Sequence, residues 1–239
     1  MEEELTLGIY VPSYKRSDRI LTYNLLEDCT YVVRESEKAD YERAGIKNIL
    51  AVKDDEINNG AKVVYWIIQN AKEDVAVIID DDIEDFAYRI DTTDRLNGDK
   101  ETITAEIERV AQLLVDLDLG FGFIDATITP YNYVQEFGVK GVCGGIKWVN
   151  RRKFKAKYDE KVVLNFDCDI VMQELLLNRI TLNPKYLCSI DKMKVNKGGE
   201  ASGRKRKDQE DSILNMRLKW GKHFVYNFKN DKPKINVKR

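Results

Sequence analysis

What the sequence lacks narrows it first. No run of apolar residues approaches the length that a membrane-spanning helix needs, so no membrane partner is expected. The opening residues, Met1-Glu-Glu-Glu-Leu5, are acidic where a secretory signal would be basic and then apolar, and the expectation is a cytoplasmic protein. Only four cysteines occur, Cys29, Cys143, Cys168 and Cys188, with no Cys-x-x-Cys pair. They read as reduced thiols, which excludes a thiolate zinc site and a disulfide framework. There is a single histidine, His223, beside Phe224 near a helix end, where a structural role is the ordinary reading. No internal repeat is present, and no stretch rich in Pro, Gly and Ser divides the chain. The 239 residues therefore read as one domain, long enough for a buried core.

What is present is a globular composition, 43% apolar and 33% charged, with a net charge of −2 that hides an asymmetry. From Lys192 to Arg239 there are 15 Lys and Arg against 5 Asp and Glu, a local charge of +10. The rest of the chain, with 24 basic and 36 acidic residues, carries −12. A second basic cluster runs from Lys147 to Lys157. Clusters of this kind suit either a solvated face or a polyanionic partner such as nucleic acid.

The first third alternates strands and helices. Strands are expected at Leu5–Pro12, Thr30–Arg34, Asn48–Val52 and Val75–Ile79. Helices are expected from the Ser17 cap to about Glu27, over Glu37–Ala44, and over Gly60–Ala71, where Val63, Val64, Ile67, Ile68 and Ala71 share a face. Such a series gives a doubly wound, mostly parallel sheet. Further on, the periodicity predicts helices over Thr102–Asp118, Ile170–Ile180 and Asp211–Trp220. It predicts strands over Phe121–Thr129, Val142–Val149 and Tyr186–Ile190, and a basic loop over Val195–Lys207.

The whole is organised around Val75-Ala-Val-Ile-Ile-Asp-Asp-Asp-Ile83. Five small or β-branched apolar residues in succession make a strand buried on both faces. Three carboxylates then arrive at its C-terminal end, the edge where open α/β sheets bind ligands. If the strand continues, Asp80 and Asp82 leave it on the same side and can share a hard divalent cation, Mn²⁺ or Mg²⁺. The plain alternative is a solvated acidic turn.

Three segments, Ile9-Tyr-Val-Pro-Ser-Tyr-Lys-Arg16, Gly60-Ala-Lys-Val-Val-Tyr-Trp66 and Val77-Ile-Ile-Asp-Asp-Asp-Ile-Glu-Asp-Phe86, are followed by an acidic helix start. Together they are similar to the TET-associated glycosyltransferases, a largely bacteriophage group with the GT-A fold, over roughly residues 5 to 225. The resemblance implies a nucleotide-sugar-binding half over residues 1–90, a mixed acceptor-binding half over 91–225, and a basic C-terminal region over 192–239. It implies that Asp80 and Asp82 hold the cation against the diphosphate of a nucleotide-sugar donor, a UDP-sugar, with Asp81 beside them. Pro12, Ser13, Arg34 and Glu37 would seat the nucleoside, and Arg16 and Lys62 would meet phosphate oxygens. In some relatives a C-terminal histidine completes the metal shell, a role left open for His223 beside the ordinary structural one. The acceptor implied is a hydroxymethylated pyrimidine in DNA.

An inverting transferase also needs a carboxylate to take the acceptor's proton. Asp167 and Asp169 stand at one expected helix start and Asp211 at another. Aspartate is equally an ordinary N-cap, and a retaining reaction needs no such base. Gly144 and Gly145 allow a close approach, Trp148 could stack on an extruded base or be core, and Arg151 and Arg152 could grip phosphates. Three other functions stay open: the same donor with a glycan, lipid or protein acceptor, a nucleotidyltransferase, and a non-catalytic nucleic-acid-binding module. Carboxylates clustered in a cleft speak against the last.

Overall fold

The structure, a computed structural model, describes residues 5–89, 93–125, 133, 135–191 and 206–238. Strand β1 (Leu7–Pro12), β2 (Thr30–Arg34), helix α1 (Lys38–Arg43), β3 (Ile49–Val52), α2 (Gly60–Asn70) and β4 (Val75–Ile79) follow in the expected order. Then come β5 (Ile83–Arg89), β6 (Thr93–Arg95), α3 (Lys100–Asp116), β7 (Phe121–Asp125), β8 (Phe137–Gly138) and β9 (Cys143–Asn150). The chain continues through α4 (Phe166–Leu177), β10 (Asn183–Pro184), β11 (Leu187–Asp191), α5 (Arg206–Trp220), β12 (Phe224–Asn227) and β13 (Lys232–Ile235).

The main sheet has six strands in the order β3-β2-β1-β4-β9-β7. The first four are parallel; β9 runs antiparallel to β4, and β7 antiparallel to β9. Beside it lies a smaller antiparallel sheet, β11-β5-β6. This is the expected doubly wound, mostly parallel sheet with a mixed second half.

Every residue of β4 is buried, and alternation divides them between two cores. Val75, Val77 and Ile79 pack with Ile103, Ile107, Val110 and Leu114 of α3. Ala76 and Ile78 pack with Val64 and Ile67 of α2 and with Ile170, Val171 and Leu175 of α4. A third cluster joins α4 to the C-terminal region through Cys168, Met172, Ile213, Met216, Phe224 and Tyr226. The four cysteines are free and buried. Among the described residues, no helix is long and apolar enough to cross a membrane.

Two expectations fail here. The predicted Ser17–Glu27 helix is instead an irregular segment with one 3-10 turn, Thr22–Leu25. Its tertiary bonds outweigh helical ones: the buried Thr22 hydroxyl donates to the Asp80 carbonyl (2.7 Å) and accepts from the Ile83 amide (3.1 Å). Trp148, considered for stacking on an extruded base, is 0% exposed. Its indole N–H donates to the Ile107 carbonyl at 3.0 Å, so it joins β9 to α3 and reaches no ligand. Trp148→Ala should accordingly cost about 3–5 kcal/mol in chemical denaturation, as truncation of a packed core aromatic does.

The strand predicted to end at Thr129 ends at Asp125 among the described residues, and 126–130 lie outside them. The expected basic loop also lies outside them, apart from Arg206 and Lys207, which open α5.

Candidate active site

At the C-terminal edge of the parallel strands lies a cavity of 880 Å³. Three elements bring their ends to it: β1 with Pro12 to Arg16, α2 with Asn59 and Gly60, and the turn after β4 with Asp80, Asp81 and Asp82. Opposite them stand Asp167 of α4 and Asp208, Asp211, Ser212 and Asn215 of α5. The position follows from the fold, because parallel strands of one sheet deliver their following loops to the same edge.

The three carboxylates are not equivalent. Because β4 stops at Ile79, the expected alternation does not govern them, and a turn sets their directions instead. Asp81 is turned inward, where the Ser13 hydroxyl donates to it at 2.5 Å and Arg16 pairs with it. Asp82 is also largely buried and lies 3.2 Å from the same guanidinium. Arg16 therefore lines the cavity but clamps two carboxylates, which corrects its expected role on phosphate. Asp80 has a side chain 42% exposed, and its backbone N–H donates to the Gly145 carbonyl at 2.8 Å. A Cβ on Gly145 would meet Ile83 Cδ1 at 2.6 Å, so this glycine permits the close approach of the smaller sheet beside Asp80.

Burial raises the Asp82 pKa, and the neighbouring Asp80 charge adds to it, bringing it up to about 6 against the pull of Arg16. Burial likewise raises Asp81. Two hard carboxylates, Asp80 and Asp82, fit a Mg²⁺ or Mn²⁺ ion. Among the described residues no group of three or more His, Cys, Asp or Glu is arranged to hold a metal, so an ion at Asp80 and Asp82 would be completed by water in the free protein and by substrate phosphate once donor is bound. Protons then compete with the cation at Asp82. Metal-induced stabilisation, read as the Tm gain on adding Mn²⁺, should shrink as pH falls through about 6. Without metal the sign reverses: a carboxyl raised from 3.8 to about 6 stabilises the fold in its protonated form, and that contribution is lost as pH rises through this window.

The largest departure from expectation is Lys147. Counted from sequence as one charge in a basic cluster, it is buried in the cavity floor, 2% exposed. Its ammonium lies 3.4 Å from Asp80 Oδ1, 3.3 Å from Asp167 Oδ1 and 3.4 Å from the Gly144 carbonyl. Burial alone would lower its pKa, but Asp167 and Asp80 outweigh burial and hold it protonated. The rest of the Lys147–Lys157 cluster faces elsewhere. Arg151 donates to the carbonyls of Ile68 (3.2 Å) and Glu73 (3.1 Å), and Arg152 pairs with Asp74 at 2.6 Å. Both lie at the opposite edge of the sheet, where β4 begins, because β9 runs antiparallel to it. They are not part of an acceptor groove at the cavity.

The two aspartates of α4 also divide. Neither is an N-cap, since Asn165 precedes the helix and both lie in its first turn. Asp169 is 2% exposed, and its carboxylate accepts from Trp220 Nε1 (2.7 Å), Lys219 Nζ (2.8 Å) and Gln173 Nε2 (2.8 Å). It joins α4 to α5 and is not placed to take a substrate proton. Asp167, 31% exposed, lines the cavity. Asp211 lines it too, from an exposed position on α5.

On the nucleoside side, Pro12, Ser13 and Arg34 line the cavity, with the Arg34 guanidinium 3.9 Å above the Tyr14 ring. Glu37 and Lys62 do not line it: the Glu37 carboxylate accepts the Lys15 amide at 3.0 Å. The Lys62 backbone N–H donates to the Asn59 cap at 2.8 Å. The anion-facing feature there is the positive end of α2 itself, at Asn59 and Gly60. A Gly-led helix after an Asn cap was the available sequence signal. His223 is exposed and near the Asn236 carbonyl, 3.2 Å away, and does not line the cavity.

No protein-family profile matches the sequence, and no curated protein matches it. Solved structures do match in fold. A mycobacterial protein aligns at 9% identity over 98% of this chain and 83% of its own, with a TM-score of 0.55. Glucosyl-3-phosphoglycerate synthase from Mycobacterium tuberculosis, solved with Mn²⁺, UDP-glucose and phosphoglyceric acid, aligns at 8% identity over 97% of this chain and 86% of its own, TM-score 0.53. The same enzyme with Mn²⁺, UDP and glucosyl-3-phosphoglycerate aligns at 9% identity over 97% and 87%, TM-score 0.51. The fold is thus that of the GT-A glycosyltransferases.

Proposed function

We propose that this chain is a divalent-cation-dependent glycosyltransferase that moves a sugar from a nucleoside diphosphate, a UDP-sugar, to the hydroxyl of a hydroxymethylated pyrimidine in DNA. One observation carries the transferase reading: three carboxylates at the end of buried β4 face a cavity of 880 Å³ shared with the N-terminus of α2 and with Asp167. The donor assignment is supported by the UDP-glucose and Mn²⁺ bound by the fold neighbour.

Asp80 and Asp82 would hold the cation, which when bound supplies Lewis-acid stabilisation of the charge that develops on the departing diphosphate. Ser13 and Arg16 keep Asp81 and Asp82 in place. The amides at the start of α2 face the donor's phosphates. The acceptor oxygen attacks the anomeric carbon, the bond to the diphosphate oxygen breaks with its electron pair leaving on that oxygen, and Asp167 takes the hydroxyl proton. Asp167 is preferred to Asp211 because it shares Lys147 with Asp80, which keeps it beside the donor.

The DNA acceptor rests on the sequence resemblance and on charge. The region from Lys192 onward carries +10, and α5, which lines the cavity through Asp208 and Asp211, also carries the exposed Arg206 and Lys207. The carboxylates of Glu160, Asp167, Asp208 and Asp211 in the cavity lining disfavour phosphates beside them, which suits a neutral extruded base there.

The test is release of nucleoside diphosphate with Mn²⁺ and a panel of nucleotide sugars, with and without hydroxymethylated DNA at two salt concentrations. Sugar transfer to DNA, weakening steeply with salt, is expected. Transfer only to glycans or small molecules would remove the DNA acceptor, and pyrophosphate release from nucleoside triphosphates would make the chain a nucleotidyltransferase.

A further inference from the structure

Lys147 has no place in the scheme above beyond its two contacts, yet it is the one buried ammonium described in the cavity. It reaches there because β9 pairs with β4 at Ile78↔Lys147, directly before the carboxylate turn, and because alternation puts its side chain on the α4 face. A lysine enclosed in a fold is tolerated when carboxylates surround it. Its two partners belong to opposite halves of the site: Asp80 would hold the donor's cation, and Asp167 would face the acceptor.

We propose that Lys147 is a positioning residue that acts as an internal cation: it moderates the affinity of Asp80 for a divalent ion and holds Asp167 towards the acceptor. The inference rests on the cation-dependent reading of the site and deepens it. An ammonium 3.4 Å from a ligand oxygen repels an incoming dication and competes for the same carboxylate. Once Asp80 turns to a divalent ion, the ammonium keeps Asp167 as its counter-charge. The residue then stays neutralised, and the Asp167 carboxylate stays oriented.

A merely structural lysine and an internal cation differ in the sign of one measurement. Mn²⁺ alone is titrated into the parent, Lys147→Met, Lys147→Arg and Asp80→Asn, with free Mn²⁺ read by electron paramagnetic resonance. Lys147→Met should tighten Mn²⁺ binding by roughly tenfold, since one nearby positive charge is gone. Lys147→Arg, which keeps the charge, should stay within about threefold of the parent. Asp80→Asn should lose the site. In turnover, Lys147→Met should lower kcat with little change in donor KM, because the ammonium 3.3 Å from Asp167 Oδ1 is gone. If Lys147→Met does not fold, Lys147→Gln is measured with the same expected sign.

Unchanged or weaker Mn²⁺ binding in the folded neutral variant overturns the proposal while leaving the cation reading intact. Equal Mn²⁺ binding by the parent and Asp80→Asn overturns the cation reading itself, and the proposal with it.

Discussion

Asp80→Asn and Asp82→Asn should each reduce donor turnover by roughly a thousandfold or more while leaving the protein folded. The physical reason is charge. An amide has the shape of a carboxylate but not its charge, and a divalent ion held by two carboxylates loses half of its protein ligands with either substitution. The two variants should differ in the metal-free protein. Asp80 is the exposed member: its replacement relieves repulsion at the turn but removes one of the two carboxylates that neutralise the buried Lys147. Asp82 is buried against Arg16, so its amide removes half of that guanidinium's compensation. Melting curves with and without Mn²⁺ separate these effects. The parent should gain stability with Mn²⁺ by mass action, and both variants should gain little. Full turnover in the presence of a strong chelator would end the cation-dependent reading outright.

The second large effect is a contrast between two neighbouring aspartates. Asp167→Asn should lower transfer to the acceptor by roughly 10²- to 10⁴-fold, the range for removing a general base, with donor affinity preserved. Asp169→Asn should act on stability instead. It replaces a buried carboxylate that accepts from Trp220, Lys219 and Gln173 by an amide whose NH2 must face at least one of these donors and which no longer neutralises Lys219. About 3 kcal/mol is expected, visible as a lower denaturation midpoint, with turnover per folded molecule largely retained. If Asp169→Asn were fully folded and inactive while Asp167→Asn worked normally, the assignment of the two residues would be reversed. Loss of transfer in Asp211→Asn alone would move the base to α5.

Those two aspartates show where reading the sequence stops. The acidic helix start is visible as Asp167-Cys-Asp169, but two residues on a helix are about 200° apart, so one faces the cavity and the other the α5 interface. Setting the helix start at Phe166 would have separated them. Knowing which one faces the ligand requires the position of α5, whose Lys219 and Trp220 lie 50 and 51 residues away. Trp148 illustrates the same limit. Between a glycine pair and two arginines it resembles a ligand platform, and only the packing of α3 over β9 makes it core.

By itself the sequence determined the sheet and the edge at which its cavity lies. A continuous apolar run at Val75–Ile79 can only be satisfied by burial on both faces, and short connections force parallel strands to open their loops on one edge. That much is local, because hydrophobic periodicity and chain reach act within a few dozen residues. Tertiary structure decided which charges were inside. Lys147, Arg151 and Arg152 are alike in sequence, but Lys147 meets Asp80 from 67 residues away while the two arginines lie at the far edge of the sheet. The cost of burying a charge depends on the partners that surround it, and those partners come together only when the chain has folded.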